Sequence, residues 1–357
     1  VFTIRGPGTV ITGIPSSGRL RIGDPLTLLP AGLAGHVRRM QVYGEDATEA
    51  RAGECVALNL PEVDHLEVRR GMVLCESDAV APVTMAEGEL RILDAVKGKI
   101  EDFLEVHLHI GTASVLARVA MLEEVEMAAS QKQMVQLRLA EPLPLVPGDR
   151  FVVRANLPSQ DQTGLATIGG GRILAVSNVR LRRKKPWTLS FLAARREALD
   201  DPERWCELMV REGLPLSVSD LQKKCLLRPD EMTALIDKLR ASGRVVALPG
   251  GTLTHSAVIE VSASKILEAV QSFHTANPQR AGLSRDELFT AVGGNAEVCE
   301  LAAASLVSAK RLERQGTVFA RAGWIARLSD RDQLLIDRVS AALQSAGWAA
   351  PTPTDLA

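Results

Sequence analysis

Alternation dominates the first half of the chain. In Glu105-Val-His-Leu-His-Ile110, Val106, Leu108 and Ile110 fall on one side and His107 and His109 on the other, the period of a half-buried strand. Gln133 to Leu139 repeats the pattern with Val135, Leu137 and Leu139, and Phe151 to Arg154 continues it. Before residue 82 the apolar runs are shorter and divided by glycine: Val1-Ile4, Gly6-Pro7-Gly8, Thr9-Ile14, Arg19-Ile22, Leu26-Leu29. Short strands with Gly and Pro turns predict a small β-barrel. One barrel is expected over residues 1–84 and a second over 85–183.

At Arg180-Leu-Arg-Arg-Lys-Lys-Pro186 the character changes, and the remainder of the chain is helix-rich; a basic cluster ending in proline reads as a linker. The helical half repeats itself. Ser217-Val-Ser-Asp-Leu221 and Ser284-Arg-Asp-Glu-Leu288 stand 67 residues apart, as do Leu239 and Leu306, and Gly243-Arg-Val245 and Lys310-Arg-Leu312. A fixed offset shared by several landmarks marks a duplicated module.

Each module reads as three helices and a short hairpin, in the first copy Arg244 to Leu248, a Pro249-Gly250-Gly251 turn and Thr252 to Thr254. That is a winged helix. Ser217 with Asp220, and Ser284 with Glu287, have capping-box spacing, Asp being the weaker partner. The copies are placed at 184–256 and 257–328. A third, at 329–357, has Leu334, Leu335 and Val339 as its first-helix core and Thr352-Pro-Thr-Asp-Leu356 opening its second helix; without a third helix or wing it is expected to be partly unfolded in isolation. The fold class predicted is multidomain, β plus α/β: two small β-barrels, then tandem winged helices.

Length agrees, since 357 residues exceed one ordinary domain. With 42 basic against 43 acidic side chains, contact with nucleic acid has to come from local patches. The five cysteines are scattered without a C-x-x-C, which fits reduced thiols in the cytosol and no zinc site. No stretch of about 18 apolar residues and no signal-peptide pattern is present, so a soluble, cytoplasmic monomer without a membrane partner is expected. Because Val1 already reads as strand and the chain stops soon after a helical pattern, a fragment at both ends is expected.

Phe2-Thr-Ile-Arg-Gly-Pro-Gly-Thr-Val-Ile-Thr-Gly13, Ser17-Gly18, Ile22-Gly-Asp24, Ala52-Gly-Glu-Cys-Val-Ala-Leu-Asn-Leu60 and Arg70-Gly-Met-Val-Leu74 resemble the second domain of the elongation factor Tu superfamily. Val106-His-Leu-His-Ile-Gly-Thr112, Ala117-Arg-Val119, Pro147-Gly-Asp-Arg-Phe-Val-Val-Arg154 and Thr167-Ile-Gly-Gly-Gly171 are similar to its third domain. Joined to winged helices, with Asn277-Pro-Gln-Arg-Ala-Gly-Leu-Ser284 in the second copy, they resemble the selenocysteine-specific elongation factor family (SelB) over residues 1 to about 350. The resemblance implies delivery of selenocysteinyl-tRNA to a ribosome decoding UGA, with recognition of a selenoprotein mRNA hairpin by the winged-helix array. GTP and Mg belong to the family's preceding domain. No G-x-x-x-x-G-K-[ST] occurs, and Asp161-Gln-Thr-Gly164 fits only the loose D-x-x-G pattern. We expect no cofactor, no catalytic residue and no GTP hydrolysis from this chain. The alternatives are a free-standing RNA- or protein-binding adaptor, or a metal enzyme centred on His107 and His109, which lack a third ligand.

By the same resemblance the aminoacyl end of tRNA lies near Val37-Arg-Arg-Met-Gln-Val-Tyr43 and the Ala52-Gly-Glu-Cys55 turn. An ionised selenol calls for cations and donors, which makes Arg38, Arg39 and Gln41 candidates. Cys55 stands where family members commonly carry Arg. His107, His109, Arg118, Arg154, Thr167, Gly169 and Gly170 are candidates for the tRNA stem. Arg182, Arg183, Lys184, Lys185, Arg244 and Arg311 are candidates for RNA backbone contact. Lys238, Arg240, Lys310 and Arg314 add charge to the third helices and wings, modules otherwise read as spacers. Trp187, Trp205, Trp324 and Trp348 read as core ahead of base stacking.

Overall fold

The computed structural model describes residues 2–4, 8–76, 79–157, 164–326 and 330–346. The expectations placed on Asp161 to Thr163, Ser329, Trp348 and Thr352 to Leu356 lie outside them.

In the first β module, alternating apolar residues converge on one core of Leu26, Leu28, Val37, Met40, Val56, Leu58 and Leu60. Strands Phe2–Ile4, Gly8–Gly13, Val56–Leu60, Arg39–Val42 and Glu45–Asp46 form one sheet in that order. Val73–Glu76, Pro25–Leu29 and Leu33–His36 form a second, and Arg19–Arg21 pairs with Glu49–Arg51. Among the described residues this module is three sheets around a core, without the hydrogen-bonded closure of the barrel expected. Tight turns cut the ladders short: Gly23 and Gly53 sit at φ of 91° and 89°, which glycine adopts without steric cost.

The second module closes fully. Pro82–Ile92, Lys132–Pro144, Ala113–Met121, Leu104–Ile110, Arg150–Ala155 and Ala166–Ser177 succeed one another around a barrel, the last pairing with the first. Val106, Leu108, Ile110, Val135, Leu137 and Leu139 all point into its core, as their alternation predicts. Met134 and Gln136, on the opposite face of that strand, are buried as well. A second layer covers Met134: Leu122, Leu174 and Ala175 pack with it and Leu192, and Leu181, Leu189 and Leu199 pack against the same cluster, while Gln136 is bonded to Glu87, the Val179 carbonyl and the Leu181 N–H. Leu192 and Leu189 come from helix α1 (Pro186–Ala198), and burying a leucine such as Leu192 is worth roughly 1.5–3 kcal/mol.

The helices continue with α2 (Pro202–Glu212), α3 (Val218–Cys225) and α4 (Pro229–Ala241), then the hairpin of Val245–Ala247 and Leu253–His255. Next come α5 (Ser256–Ala276), the short strand Leu283–Ser284, α6 (Arg285–Val292), α7 (Ala296–Ser308) and the hairpin Leu312–Gln315 with Val318–Arg321. The bounds of α3 and α4, moved by 67, are those of α6 and α7. The chain divides into two compact units, residues 1–209 with 219–235 and residues 210–218 with 236–357.

Within the second unit Ile266, Val270, Leu283, Leu288, Ala302, Leu306 and Phe319 make the core, and the three strands order as Leu283–Ser284, Val318–Arg321, Leu312–Gln315. α6 opens on the predicted capping box: Glu287 N–H donates to Ser284 Oγ at 3.3 Å, and Ser284 N–H donates to Glu287 Oε2 at 2.8 Å. α8 (Asp330–Ala346) is helical, but Leu334 and Leu335, expected as core, are 64% and 55% exposed. No helix of the described residues is long and apolar enough to cross a membrane.

Candidate nucleic-acid interface

In the first module, Arg39 and Gln41 project from one face of Arg39–Val42, whose alternate residue Met40 enters the core. The strand pairs with Val56–Leu60, Gln41 opposite Ala57 and Arg39 opposite Asn59. Cys55 adjoins them, its carbonyl accepting from Tyr43 N–H at 2.9 Å, and its thiol is free and exposed. Gln41 Nε2 donates to Asp46 Oδ1 at 3.0 Å. Arg38 and Arg39 are exposed, and among the described residues neither pairs with a carboxylate, whereas Arg19, Arg21 and Arg51 gather on Glu49.

On the closed barrel, register assembles residues that the sequence scatters. His107 stands opposite Leu116 on one side and Arg154 on the other, and Arg154 opposite Thr167. The next row runs Ser114, His109, Val152, Gly170. One row back, Arg118 lies between Glu105 and Arg138, with its Nε 3.8 Å from the Glu105 carboxylate. Adjacent residues of neighbouring strands are about 4.5–5.5 Å apart, so these rows form one polar face. His107 and His109 are half-buried, and among the described residues no group of three or more His, Cys, Asp or Glu is placed to hold a metal.

Two stem candidates have structural tasks. Arg154 donates from Nη2 to the Leu165 carbonyl at 2.7 Å, which fixes the approach to Thr167. Gly169 is buried, and a Cβ there would lie 2.4 Å from the Arg91 carbonyl oxygen, so the residue serves close strand packing.

Arg138 is a further member of the face. Its guanidinium lies 5.0 Å from the centre of the Phe103 ring, and burial, followed by the neighbouring Arg180, draws its pKa down. The alternation of Val135, Leu137 and Leu139 already put Arg138 on the outer side; the missing signal was its pairing with Arg118.

The basic run divides. Arg183 Nε donates to the Met121 carbonyl at 3.1 Å and its Nη2 pairs with Asp102. Lys184 Nζ lies 3.0 Å from Glu124, and its N–H donates to the Leu122 carbonyl at 2.8 Å. These two stitch the segment to the barrel. Upstream, buried Glu87 accepts from Gln136 Nε2 at 2.8 Å and Ser177 Oγ at 2.7 Å, while Gln136 holds the Val179 carbonyl and the Leu181 N–H. Arg180, Arg182 and Lys185 remain exposed.

Among the helical modules, Arg244 Nε donates to Ser242 Oγ at 2.9 Å, Arg311 is exposed, and Arg314 lies over Phe319 at 5.8 Å. Trp205 is buried in its helix face. Trp324 stacks on buried His274 at 4.0 Å with planes 6° apart, whereas Trp187 is 67% exposed.

Known proteins share this architecture. Residues 90–180 match the family model described as the beta-barrel domain of selenocysteine-specific elongation factor. The selenocysteine-specific elongation factor of Desulfomicrobium baculatum is 32% identical over 301 residues, covering 82% of this chain and 45% of that protein. Its namesake in Escherichia coli (strain K12) is 25% identical over 325 residues, covering 91% of this chain and 48% of that protein. The crystal structure of bacterial selenocysteine-specific elongation factor EF-Sec superposes with a TM-score of 0.57 at 20% identity, over 96% of this chain and 52% of that one, a likeness of fold. The chain thus spans about half the length of the curated relatives it matches.

Proposed function

The chain belongs, over the length it shares with them, to the selenocysteine-specific elongation factors, and from that premise we propose that it carries the tRNA-holding and message-reaching part of a factor that delivers selenocysteinyl-tRNA to ribosomes at UGA codons. The first module holds the aminoacyl end, with Arg38, Arg39 and Gln41 as donors beside Cys55. The closed barrel takes the tRNA stem. The winged-helix modules extend toward an mRNA hairpin, and GTP with Mg is handled by a domain outside residues 1–357. The protein works in the cytoplasm.

The observation that supports this reading best is the polar face in which Arg118, Arg138, His107, Arg154 and Thr167 share neighbouring cross-strand rows. Several cations at fixed spacing on a sheet suit phosphates of a structured RNA, which side chains meet along its backbone and shallow groove. The test is gel-shift titration of the full chain with a selenocysteine tRNA, for the native sequence and for Arg118→Glu combined with Arg138→Glu. We expect the double variant to bind at least about tenfold more weakly, with the difference shrinking as KCl rises from about 50 to about 200 mM. Failure of the native chain to bind at the lower salt, or equal binding by the variant, rejects the reading.

A further inference from the structure

A second cationic site lies on the closed barrel, and of the candidate RNA contacts named above it includes Gly170 alone. It is a cleft of about 400 Å³ between the barrel wall and the end of α1. Register builds one wall: Lys132, Arg91 and Gly170 face one another across three neighbouring strands. Gly170 contributes no side chain, and none fits, because a Cβ would stand 2.6 Å from the Phe151 carbonyl oxygen. The space between Arg91 and the α1 side is therefore floored by backbone with no side chain in the way, so a ligand can lie close to the sheet.

The end of α1 is tied to the same barrel wall one row on, where Glu89 faces Arg172. Arg172 Nη1 binds both oxygens of Asp200, at 2.7 and 2.8 Å, and Arg196 Nη1 binds Glu89 at 3.0 Å. Those two carboxylates engage two of the cleft's four cations. The other two are less committed: among the described residues Arg91 meets Asp94 alone, at 3.5 Å with both side chains largely exposed, and Lys132 pairs with no carboxylate. Two loosely held cations beside two clamped guanidiniums, over a glycine floor, make an anion seat with a net positive field. Apolar ligands find little here, since the lining is charged apart from Leu174, Leu199 and the glycines.

We propose that this cleft binds phosphate, with Arg91 and Lys132 as the residues that contact it, and that in the working protein the phosphate belongs to the backbone of the bound RNA. The second half of the proposal rests on the function proposed above; the first half does not. The His109–Val152–Gly170 row of the polar face leads directly into the Gly170–Arg91–Lys132 row of the cleft. An RNA lying on that face would then have its strand continued around the barrel into the cleft, not ending at Thr167.

The test uses the full chain, with Arg91→Ala/Lys132→Ala as the variant and Lys265→Ala, on helix α5 of the second unit, as the charge control. Matching thermal melts establish that the variants fold. Calorimetric titration with inorganic pyrophosphate comes first: the native chain and the control are expected to bind, and the double variant to lose at least about tenfold in affinity, as removal of two charge-assisted partners requires. Absence of pyrophosphate binding by the native chain, or equal binding by the double variant, overturns the phosphate site. Salt titration of tRNA binding comes second: the double variant is expected to lower the slope of log affinity against log salt by about 1.4–1.8, two phosphate contacts' worth. An unchanged slope, or the same change in Lys265→Ala, overturns the RNA assignment while leaving the phosphate seat standing. A native chain that binds pyrophosphate but no tRNA sinks the proposed function and not the cleft.

Discussion

Glu87 shows how one side chain reports on its surroundings. Burial pushes its carboxyl above the usual range, although hydrogen bonds from Gln136 and Ser177 pull the other way. With the folded pKa above the unfolded one, the folded protein holds a proton in a window where the unfolded chain has lost it. Stability contributed by this group therefore grows as pH falls into that window and is lost as pH rises through it. Glu87→Gln keeps an acceptor for both donors, so urea midpoints near pH 7 are expected to be equal or higher, with a flatter dependence toward about pH 4.5. A variant with the native pH dependence would refute the assignment. His274 carries the opposite sign. Burial lowers its pKa, so below about pH 6.5 the unfolded chain takes up a proton that the folded one resists, and stability falls with pH. His274→Phe retains the stack on Trp324 and is expected to abolish that acid-side loss in thermal melts. Neither residue announced itself in the sequence: Glu87 sits outside every motif, and His274 is one of six histidines. The strand-packing task of Gly169 was hidden for a related reason, because a glycine that admits a ligand and one that admits a neighbouring strand look alike until the register is known.

Elements were more legible than sites. Period two located the barrel strands, and Ser284 with Glu287 announced the start of α6; here Ser284→Ala is expected to cost about 1 kcal/mol in the second unit, read from its denaturation midpoint. The additional burial of Met134 and Gln136 was not legible, since covering the outside of a strand requires knowing that α1 returns onto Met134 and residues 179–181 onto Gln136. Arg183 presents the same limit, as its place in a basic run suggests solvent while its partner Asp102 lies far upstream. Removing that guanidinium takes the ion-pair partner from a half-buried carboxylate that keeps, among the described residues, only the Met121 N–H as a donor, at 2.8 Å, so Arg183→Met, which keeps the aliphatic stem, is expected to lower barrel stability by about 1–3 kcal/mol. A midpoint indistinguishable from the native chain would show that the pair does not anchor the segment.

For the whole molecule, the offset of 67 residues proved the most informative number in the sequence, because α3 and α4 recur as α6 and α7 with the same bounds. Two compact units with separate cores predict at least two calorimetric transitions, and only one of them should respond to Ser284→Ala. A single transition that moves as a whole would contradict that independence. The family was recoverable from motif order, whereas the polar rows were not, since they are made by cross-strand neighbours as far apart in sequence as His107 and Arg154. The stitching of residues 179–184 to the barrel carries a consequence for recognition kinetics. A loose basic tether sweeps space and must be immobilised by whatever it catches, at an entropic cost of about 1–2 kcal/mol for each residue whose backbone is fixed. Here the backbone beneath Arg180, Arg182 and Lys185 is already fastened, so an incoming polyanion meets charges at set intervals, as a key meets a ward, and mismatched spacing is penalised on contact.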